Sequence, residues 1–202
     1  MALVVITGGA RSGKSGAAQR LAQARDRAGQ NVVVAVFASE SDPEMTDRIA
    51  AHKADRPDAF GVVEASESSG WLDGVADDSV LVVDCLGTCF GLAMLEAWAA
   101  TAGTDVPMTD AVELPPALEG EFGQRAGALV DSIVRRTGDT IVVTNEVGSG
   151  IVPTYATGRL FRDELGRANA TLVGSADAAY VAVGGRLLDL ATLPRDAAWP
   201  ED

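Results

Sequence analysis

A glycine-rich octapeptide near the N-terminus places the strongest limit on what this chain can fold into. Residues Gly8–Ser15 read Gly-Gly-Ala-Arg-Ser-Gly-Lys-Ser and fit the pattern G-x-x-x-x-G-K-[ST] with no mismatch. An apolar run, Leu3–Ile6, precedes the octapeptide, and a helix-forming stretch, Gly16–Ala28, follows it. A strand, a glycine loop and a helix in this order form a phosphate-binding loop, whose backbone N–H groups face phosphate oxygens. The alternative is a glycine turn that binds nothing, but such a turn would not require a Lys-Ser pair at positions 14 and 15.

The last two residues of the loop carry its predicted chemistry. Lys14 is expected to reach the β- and γ-phosphates of a nucleoside triphosphate, and the Ser15 hydroxyl is expected to ligate Mg²⁺. Asp84 ends the apolar run Val80–Val83. Its carboxylate is predicted to hold the metal with Ser15, directly or through water. A strand-ending Asp is also a common turn former, so this assignment depends on the glycine loop in the same chain.

Short apolar runs alternate with helical segments along the chain. The runs are Leu3–Ile6, Val32–Phe37, Val80–Val83, Thr140–Thr144 and Ala179–Val183. This alternation predicts an α/β fold with a mainly parallel sheet and helices on both faces. Ligands of such sheets bind beyond the carboxyl ends of the strands. We therefore expect Gly8–Ser15, Ser39, Asp84 and Asn145 on one rim.

Residues 1–193 are expected to form a single nucleotide-binding catalytic domain, followed by a polar tail over 194–202. The acidic, Pro-containing segment 101–121 is predicted to be a flexible excursion between two helices, either a lid or an inert insertion. Cys85 and Cys89 lie four residues apart on what reads as one helix. Because no other Cys or His lies nearby in sequence, we interpret them as buried reduced thiols.

The charge of the chain excludes some classes of partner. The net charge is −13 over 202 residues, which argues against a nucleic-acid partner bound by a broad basic surface. No apolar run reaches the length of a membrane span, and the N-terminus lacks the basic region of a signal peptide. The expected protein is therefore cytoplasmic, with no membrane span.

The only histidine of the chain, His52, lies in a segment with clear helix signals. The segment Asp42–Pro57 begins with an Asp-Pro cap and ends at a proline, which predicts one helix with His52 on its apolar face. A lone histidine is usually a solvated or hydrogen-bonded side chain. The neighbouring cations Lys53 and Arg56 favour a nucleophile that attacks phosphate, because they offset charge on a departing pyrophosphate.

Polar residues also follow the fourth predicted strand. Asn145 and Glu146 open a glycine-containing loop that ends at Pro153, so they are expected on the rim that holds the phosphate loop. The alternative is a glycine-rich β–α turn whose polar residues have no functional role. Arg162, on a basic helix face downstream, is expected either to meet substrate phosphate or to pair with acidic side chains. All three are interpreted as substrate-contacting or structural.

Taken together, these residues resemble the bifunctional adenosylcobinamide kinase/adenosylcobinamide-phosphate guanylyltransferase family of cobalamin biosynthesis. The matching pieces are Thr7–Ser15, the Glu44–Pro57 helix with His52-Lys53, and Thr144–Pro153 followed by Phe161-Arg162-Asp163. The resemblance extends from Thr7 to about Val183, nearly the whole chain. The combination of a phosphate loop, a histidine helix and a Thr-Asn-Glu-Val-Gly loop is highly specific.

The resemblance implies a RecA-like P-loop NTPase fold, a homotrimer, and two reactions. ATP or GTP phosphorylates the aminopropanol arm of adenosylcobinamide. GTP then guanylylates a histidine, and the GMP passes to adenosylcobinamide phosphate to give adenosylcobinamide-GDP. Matched onto this chain, His52 carries the GMP, and Lys14 is the second catalytic residue that we assign. The expected nucleotide contacts are Gly8, Gly9, Ala10, Arg11, Ser12, Gly13, Lys14, Ser15, Ser39, Glu40, Lys53, Ala54, Asp55, Arg56, Glu64 and Asp84, with Mg²⁺ as cofactor.

Three other functions are weighed against this one. A P-loop small-molecule kinase without guanylyltransferase activity would form no covalent nucleotide. A GTP-binding switch is disfavoured because the chain contains no Asn-Lys-x-Asp motif. A RecA-like ATPase acting on nucleic acid is opposed by the net charge of −13 and by the absence of a basic stripe in the sequence.

Overall fold

The computed structural model describes residues 1–37, 57, 59–65, 67–102, 108 and 113–197. Within these residues the elements are, in chain order, β1 (Leu3–Gly8), α1 (Lys14–Arg27), β2 (Val32–Phe37), β3 (Gly61–Ala65), β4 (Val80–Asp84), α2 (Leu86–Ala102), α3 (Leu118–Arg135), β5 (Thr140–Val143), α4 (Ala156–Ser175), β6 (Ala178–Val183) and β7 (Arg186–Asp189). Short 3₁₀ turns lie at Trp71–Gly74 and Leu190–Thr192.

The seven strands form one sheet in the order β3-β2-β4-β5-β1-β6-β7. All neighbours are parallel except β6 and β7, which form an antiparallel hairpin. The strand that leads into the phosphate loop, β1, is therefore interior, and β5 separates it from the Asp84 strand, β4. This arrangement is the α/β fold with a mainly parallel sheet that the sequence predicts.

Helices cover both faces of the sheet because successive side chains of each strand point to opposite sides. Leu3 and Val5 of β1 belong to the larger core, which they share with residues of α2, α3 and α4. Ile6 belongs to a smaller core beneath α1. The α1 side of that smaller core consists of alanines, whose small side chains let the helix lie close to the phosphate-loop end of the sheet.

Two strands were not predicted, and both lie at edges of the sheet. β3 is short and largely exposed on both faces, so it lacks the continuous apolar run by which the interior strands were found. β7 is also mostly exposed and returns antiparallel to β6 after a Gly184-Gly185 turn. Edge strands need not be buried on both faces, so they lack the apolar run that identifies an interior strand in a sequence.

Helix bounds shorten the predicted excursion over 101–121. α2 ends at Ala102 and α3 begins at Leu118, so both ends of the predicted range belong to helices. Of the residues between them, the structure describes 108 and 113–117. Among the described residues, no helix combines the length and apolarity needed to cross a membrane.

One buried arginine ties together the ends of the strands opposite the phosphate loop. Arg136 Nη2 donates to the carbonyl oxygens of Ala76 at 2.6 Å and Ser79 at 3.0 Å. Its Nη1 donates to the carbonyl oxygen of Asp139 at 3.1 Å. The residue is only 8% exposed, and burial lowers the pKa of its guanidinium. Arg136 thus fixes the chain where it enters β4 and β5.

Candidate active site

The phosphate loop joins the end of β1 to the start of α1, and the geometry requires two of its glycines, Gly8 and Gly13. Gly13 precedes the helix with φ 95° and ψ 5°, in the left-handed region that favours glycine. A Cβ on Gly8 would lie 2.6 Å from the carbonyl oxygen of Ala182, and a Cβ on Gly13 would lie 3.2 Å from Gly185 Cα. The loop is therefore pressed against β6 and against the turn that follows it.

Polar groups inside the loop are arranged for an anion. Lys14 is 8% exposed, and its Nζ donates to the carbonyl oxygen of Gly9 at 3.0 Å. An ammonium group has three donors, so this bond leaves two for other acceptors in the loop. Ser12 Oγ is buried and has no hydrogen-bond partner in the described part of the chain. A buried hydroxyl without a partner is costly, and a phosphate oxygen held by the loop would supply one.

Ser15 and Asp84 meet beside the loop. Ser15, in the first turn of α1, donates from Oγ to Asp84 Oδ1 at 3.2 Å. Asp84 is the last residue of β4. A hydroxyl and a carboxylate are the oxygen ligands that Mg²⁺ prefers, usually completed by substrate phosphates and water. The described residues contain no group of three or more His, Cys, Asp or Glu that could hold a metal ion, so a metal here would depend on such outside ligands.

The loop after β5 is attached to the phosphate loop through its backbone. Glu146 N–H donates to the carbonyl oxygen of Gly8 at 3.0 Å, and the Glu146 carboxylate accepts from Gly148 N–H at 2.9 Å. Because β5 lies between β1 and β4, Asn145 and Glu146 emerge between the phosphate loop and Asp84. The structure thus brings these two predicted site residues to the same rim.

A residue that the sequence did not single out, Asn169 of α4, holds this loop in place. Its Oδ1 accepts from Thr144 Oγ1 at 2.6 Å, with both groups buried, and its Nδ2 donates to the carbonyl oxygen of Asn145 at 2.9 Å. The only sequence signal would have been an asparagine on the apolar face of α4, since Asn169 lies one turn after Leu165. Burying an amide there requires partners, and the β5 loop supplies them.

Two further predicted residues lie on β3 and on α4. Glu64 is exposed on β3, four strand spacings from β1 in the sheet order, which is about 19 Å. Arg162 is half-buried on α4 and has no ion pair with any residue that the structure describes. The remaining predicted site residues lie outside the described residues: Ser39, Glu40, His52, Lys53, Ala54, Asp55 and Arg56.

The two cysteines differ in environment. Both are free thiols, and Cys89 is fully buried in α2, whereas Cys85 is half-buried and directly precedes that helix. Burial, reinforced by the nearby Glu96 carboxylate, raises the pKa of Cys89 to about 12. Cys89 is therefore the buried reduced thiol that the sequence predicts. Cys85 is more accessible than predicted because it adjoins Asp84 at the rim.

A glycine loop with a buried lysine and an adjoining Ser15–Asp84 pair, at the carboxyl ends of parallel strands, defines a P-loop nucleotide-binding protein. Residues 4–190 match the family described as cobinamide kinase / cobinamide phosphate guanyltransferase. The chain belongs to this family, which confirms the resemblance predicted from its motifs.

Several proteins are similar to this chain over most of its length. The bifunctional adenosylcobalamin biosynthesis proteins CobU of Salmonella typhimurium and Escherichia coli are 31% and 29% identical over 185 residues, covering 91% of this chain and 96% of each relative. CobP of Pseudomonas aeruginosa, described in the same words, is 34% identical over 164 residues, covering 80% of this chain and 82% of the relative. A crystal structure of a KaiC-like protein from Pyrococcus horikoshii aligns with a TM-score of 0.43 and 14% identity, covering 89% of this chain and 70% of that one.

Proposed function

We propose that this enzyme phosphorylates adenosylcobinamide with ATP or GTP. It then transfers GMP from GTP, through a guanylyl-His52 intermediate, to adenosylcobinamide phosphate. The product is adenosylcobinamide-GDP, in adenosylcobalamin biosynthesis. The observation that carries the proposal is the 3.2 Å contact between Ser15 and Asp84 beside Lys14, in a chain that belongs to the cobinamide kinase / cobinamide phosphate guanyltransferase family.

The kinase step uses the phosphate loop. Backbone N–H groups of Gly9–Gly13 and the Lys14 ammonium hold the β- and γ-phosphates and offset the charge that develops during transfer. Ser15 and Asp84 would hold Mg²⁺, which, when bound, neutralises triphosphate charge. Asn145 and Glu146 emerge between the phosphate loop and Asp84, which supports a role for them at the acceptor hydroxyl. That hydroxyl oxygen attacks the γ-phosphorus as the bond from this phosphorus to the β,γ-bridging oxygen breaks, so the nucleoside diphosphate leaves and the hydroxyl proton is released.

The guanylyltransferase step uses His52. An imidazole nitrogen attacks the α-phosphorus of GTP, and the bond to the bridging oxygen breaks, so pyrophosphate leaves. A phosphate oxygen of adenosylcobinamide phosphate then attacks the same phosphorus and displaces the imidazole. Lys53 and Arg56 offset the charge of the pyrophosphate. In support, β2 ends at Phe37 on the rim that holds the phosphate loop, so the chain enters the His52 segment from that rim.

Further nucleotide contacts follow from the same family match. We propose that Ser39, Glu40, Ala54, Asp55 and Glu64 contact the guanosine carried by His52. The position of Glu64 on β3, next to β2 in the sheet, supports this placement, because the chain passes from β2 through the His52 segment to β3.

We also propose a cytoplasmic homotrimer with no nucleic-acid partner. The net charge of −13 supports the absence of a nucleic-acid partner. Large apolar side chains exposed on the loop after β5 support self-association: Ile151 is 97% exposed, Val152 56% and Tyr155 57%. Light scattering on the purified protein should give three times the chain mass of 20.8 kDa. A mass of one chain would contradict the trimer.

A labelling experiment tests the guanylyltransferase mechanism. The protein is incubated with Mg²⁺ and GTP labelled at the α-phosphate, and an acid-labile, base-stable label on the protein is expected. His52→Ala should abolish the label but still phosphorylate adenosylcobinamide from γ-labelled ATP, whereas Lys14→Ala should lose both reactions. Equal labelling of His52→Ala would contradict the mechanism. Phosphorylation by a wild-type protein that takes no label would identify a kinase without guanylyltransferase activity.

A further inference from the structure

The phosphate loop fixes the direction in which a bound triphosphate runs. Lys14 and Ser15 mark the β- and γ-phosphate end, and Ser15 contacts Asp84. Asp84 ends β4, which lies two strands from β1 on the side of β5. The γ-phosphate therefore points towards β5 and β4. The α-phosphate and the nucleoside consequently lie on the other side of β1, above β6 and β7.

The turn between β6 and β7 touches the phosphate loop on that side. Gly185 N–H donates to the carbonyl oxygen of Ser12 at 3.0 Å. Gly184 and Gly185 have φ values of 57° and 78°, which suit a two-residue hairpin turn with positive φ at both positions. A Cβ on either glycine would meet no described atom within 4 Å. The space beside the turn is thus open to a ligand that extends from the phosphate loop.

Two side chains flank the turn on one face of the hairpin. Val183 and Arg186 are direct partners across the antiparallel strands, and directly opposite residues point to the same face. Val183 is 66% exposed. Arg186 is exposed and has no ion pair with the residues that the structure describes. An apolar side chain beside a guanidinium suits a purine base, because a guanidinium stacks on aromatic faces.

We propose that the turn Val183–Arg186 is the nucleoside platform of the phosphoryl-donor nucleotide, with the purine packed on Val183 and stacked against Arg186. The inference rests on the proposed function, since it concerns the donor of the kinase step.

Comparing a nucleotide with its phosphates alone tests the platform. Calorimetric titration gives the Kd for MgATP and for magnesium tripolyphosphate, which carries the three phosphates without a nucleoside. Arg186→Ala should raise the Kd for MgATP about fivefold to tenfold and leave that for tripolyphosphate within about twofold. Arg186→Lys should fall between, because lysine keeps the charge but does not stack. Arg135→Ala, a matched control at an exposed arginine at the end of α3, should change neither.

Two results would overturn the platform. An unchanged Kd for MgATP would show that the base lies elsewhere, and equal weakening of both ligands would show that Arg186 acts through the shape of the phosphate loop. A wild-type protein that does not bind tripolyphosphate would contradict both the phosphate-binding role of the loop and the proposed platform. Failure of the proposed function gives a different result: no phosphorylation or no His52 label, with the difference between MgATP and tripolyphosphate intact.

Discussion

The hydrogen bond between Thr144 and Asn169 is expected to couple the stability of the fold to the position of the candidate site. Thr144 directly follows β5, and its hydroxyl donates to Asn169 Oδ1 at 2.6 Å with both groups buried. The same amide donates to the carbonyl oxygen of Asn145 at 2.9 Å. The loop held in this way continues to Glu146, whose N–H binds Gly8.

The stability that each variant should lose follows from the polar groups that it leaves without hydrogen-bond partners. Asn169→Ala leaves a buried hydroxyl without its acceptor and the Asn145 carbonyl without its side-chain donor, which costs about 2–3 kcal/mol of unfolding free energy. Thr144→Val removes the hydroxyl and leaves only Asn169 Oδ1 unpaired, for about 1–2 kcal/mol. Once Asn169 is gone, Thr144→Val removes an already unpaired hydroxyl. The double mutant should therefore be more stable than the sum of the single changes by about 1 kcal/mol or more.

Urea unfolding of the wild type, both single variants and the double variant measures this coupling. Thr171→Val is a matched control on α4, because its exposed hydroxyl donates to the carbonyl oxygen of Arg167 within the helix. It should shift stability by less than about 0.5 kcal/mol. A coupling energy near zero would refute the reasoning, since each side chain would then act without the other.

The coupling also has a catalytic readout. If Asn169 positions the β5 loop, Asn169→Ala should lower kcat for adenosylcobinamide phosphorylation about tenfold to a hundredfold, as expected for a displacement of about 1 Å at the site. The Kd for tripolyphosphate should change far less, since Lys14 and the loop glycines remain.

Two further predictions concern residues away from the phosphate loop. Arg136→Ala should lower the unfolding free energy by about 3–5 kcal/mol, because it leaves buried carbonyl oxygens without donors, and urea unfolding that shows less than about 1 kcal/mol would contradict this. Stability should fall as pH rises from about 9 towards 12, because unfolded Cys89 loses its proton before the buried thiol does. The slope for this group is about 1.4 kcal/mol per pH unit, and Cys89→Ala should lose that part of the slope.

The interior of the fold could be predicted because its signals are local. Buried parallel strands are continuous apolar runs, so β1, β2, β4, β5 and β6 were found, and the phosphate loop was identified from its spacing alone. A strand at the edge of a sheet has no such run. The exposed Val62 and Glu64 of β3 satisfy no burial pattern, and their place in the sheet is decided by pairing with β2. That pairing is a long-range contact which composition does not encode.

Other parts of the site depend on which strands become neighbours. The sequence predicts Ser15 and Asp84 on one rim. Their contact at 3.2 Å depends on β5 alone lying between β4 and β1, the strand that leads into the phosphate loop. Asn169 was missed for the same reason, since a buried asparagine on a helix indicates a partner without identifying it. The contact between the Gly184-Gly185 turn and the phosphate loop could not be predicted either. It forms only because β6 pairs with β1, which brings Gly185 to Ser12.

The position of the phosphate loop between two sides of the sheet explains how one loop can serve two transfers. In the kinase step the loop holds the phosphoryl group that leaves towards the acceptor, on the side of β5 and β4. In the proposed guanylyl step the same loop would hold the departing pyrophosphate, while His52 would attack the α-phosphate. Under this proposal Lys14 acts in both steps because the β- and γ-phosphates take part in both, whereas His52 acts only at the α-phosphate. Loss of both reactions in Lys14→Ala and of one in His52→Ala is therefore a consequence of this geometry, and a Lys14→Ala protein that still takes the guanylyl label would require a second pyrophosphate site.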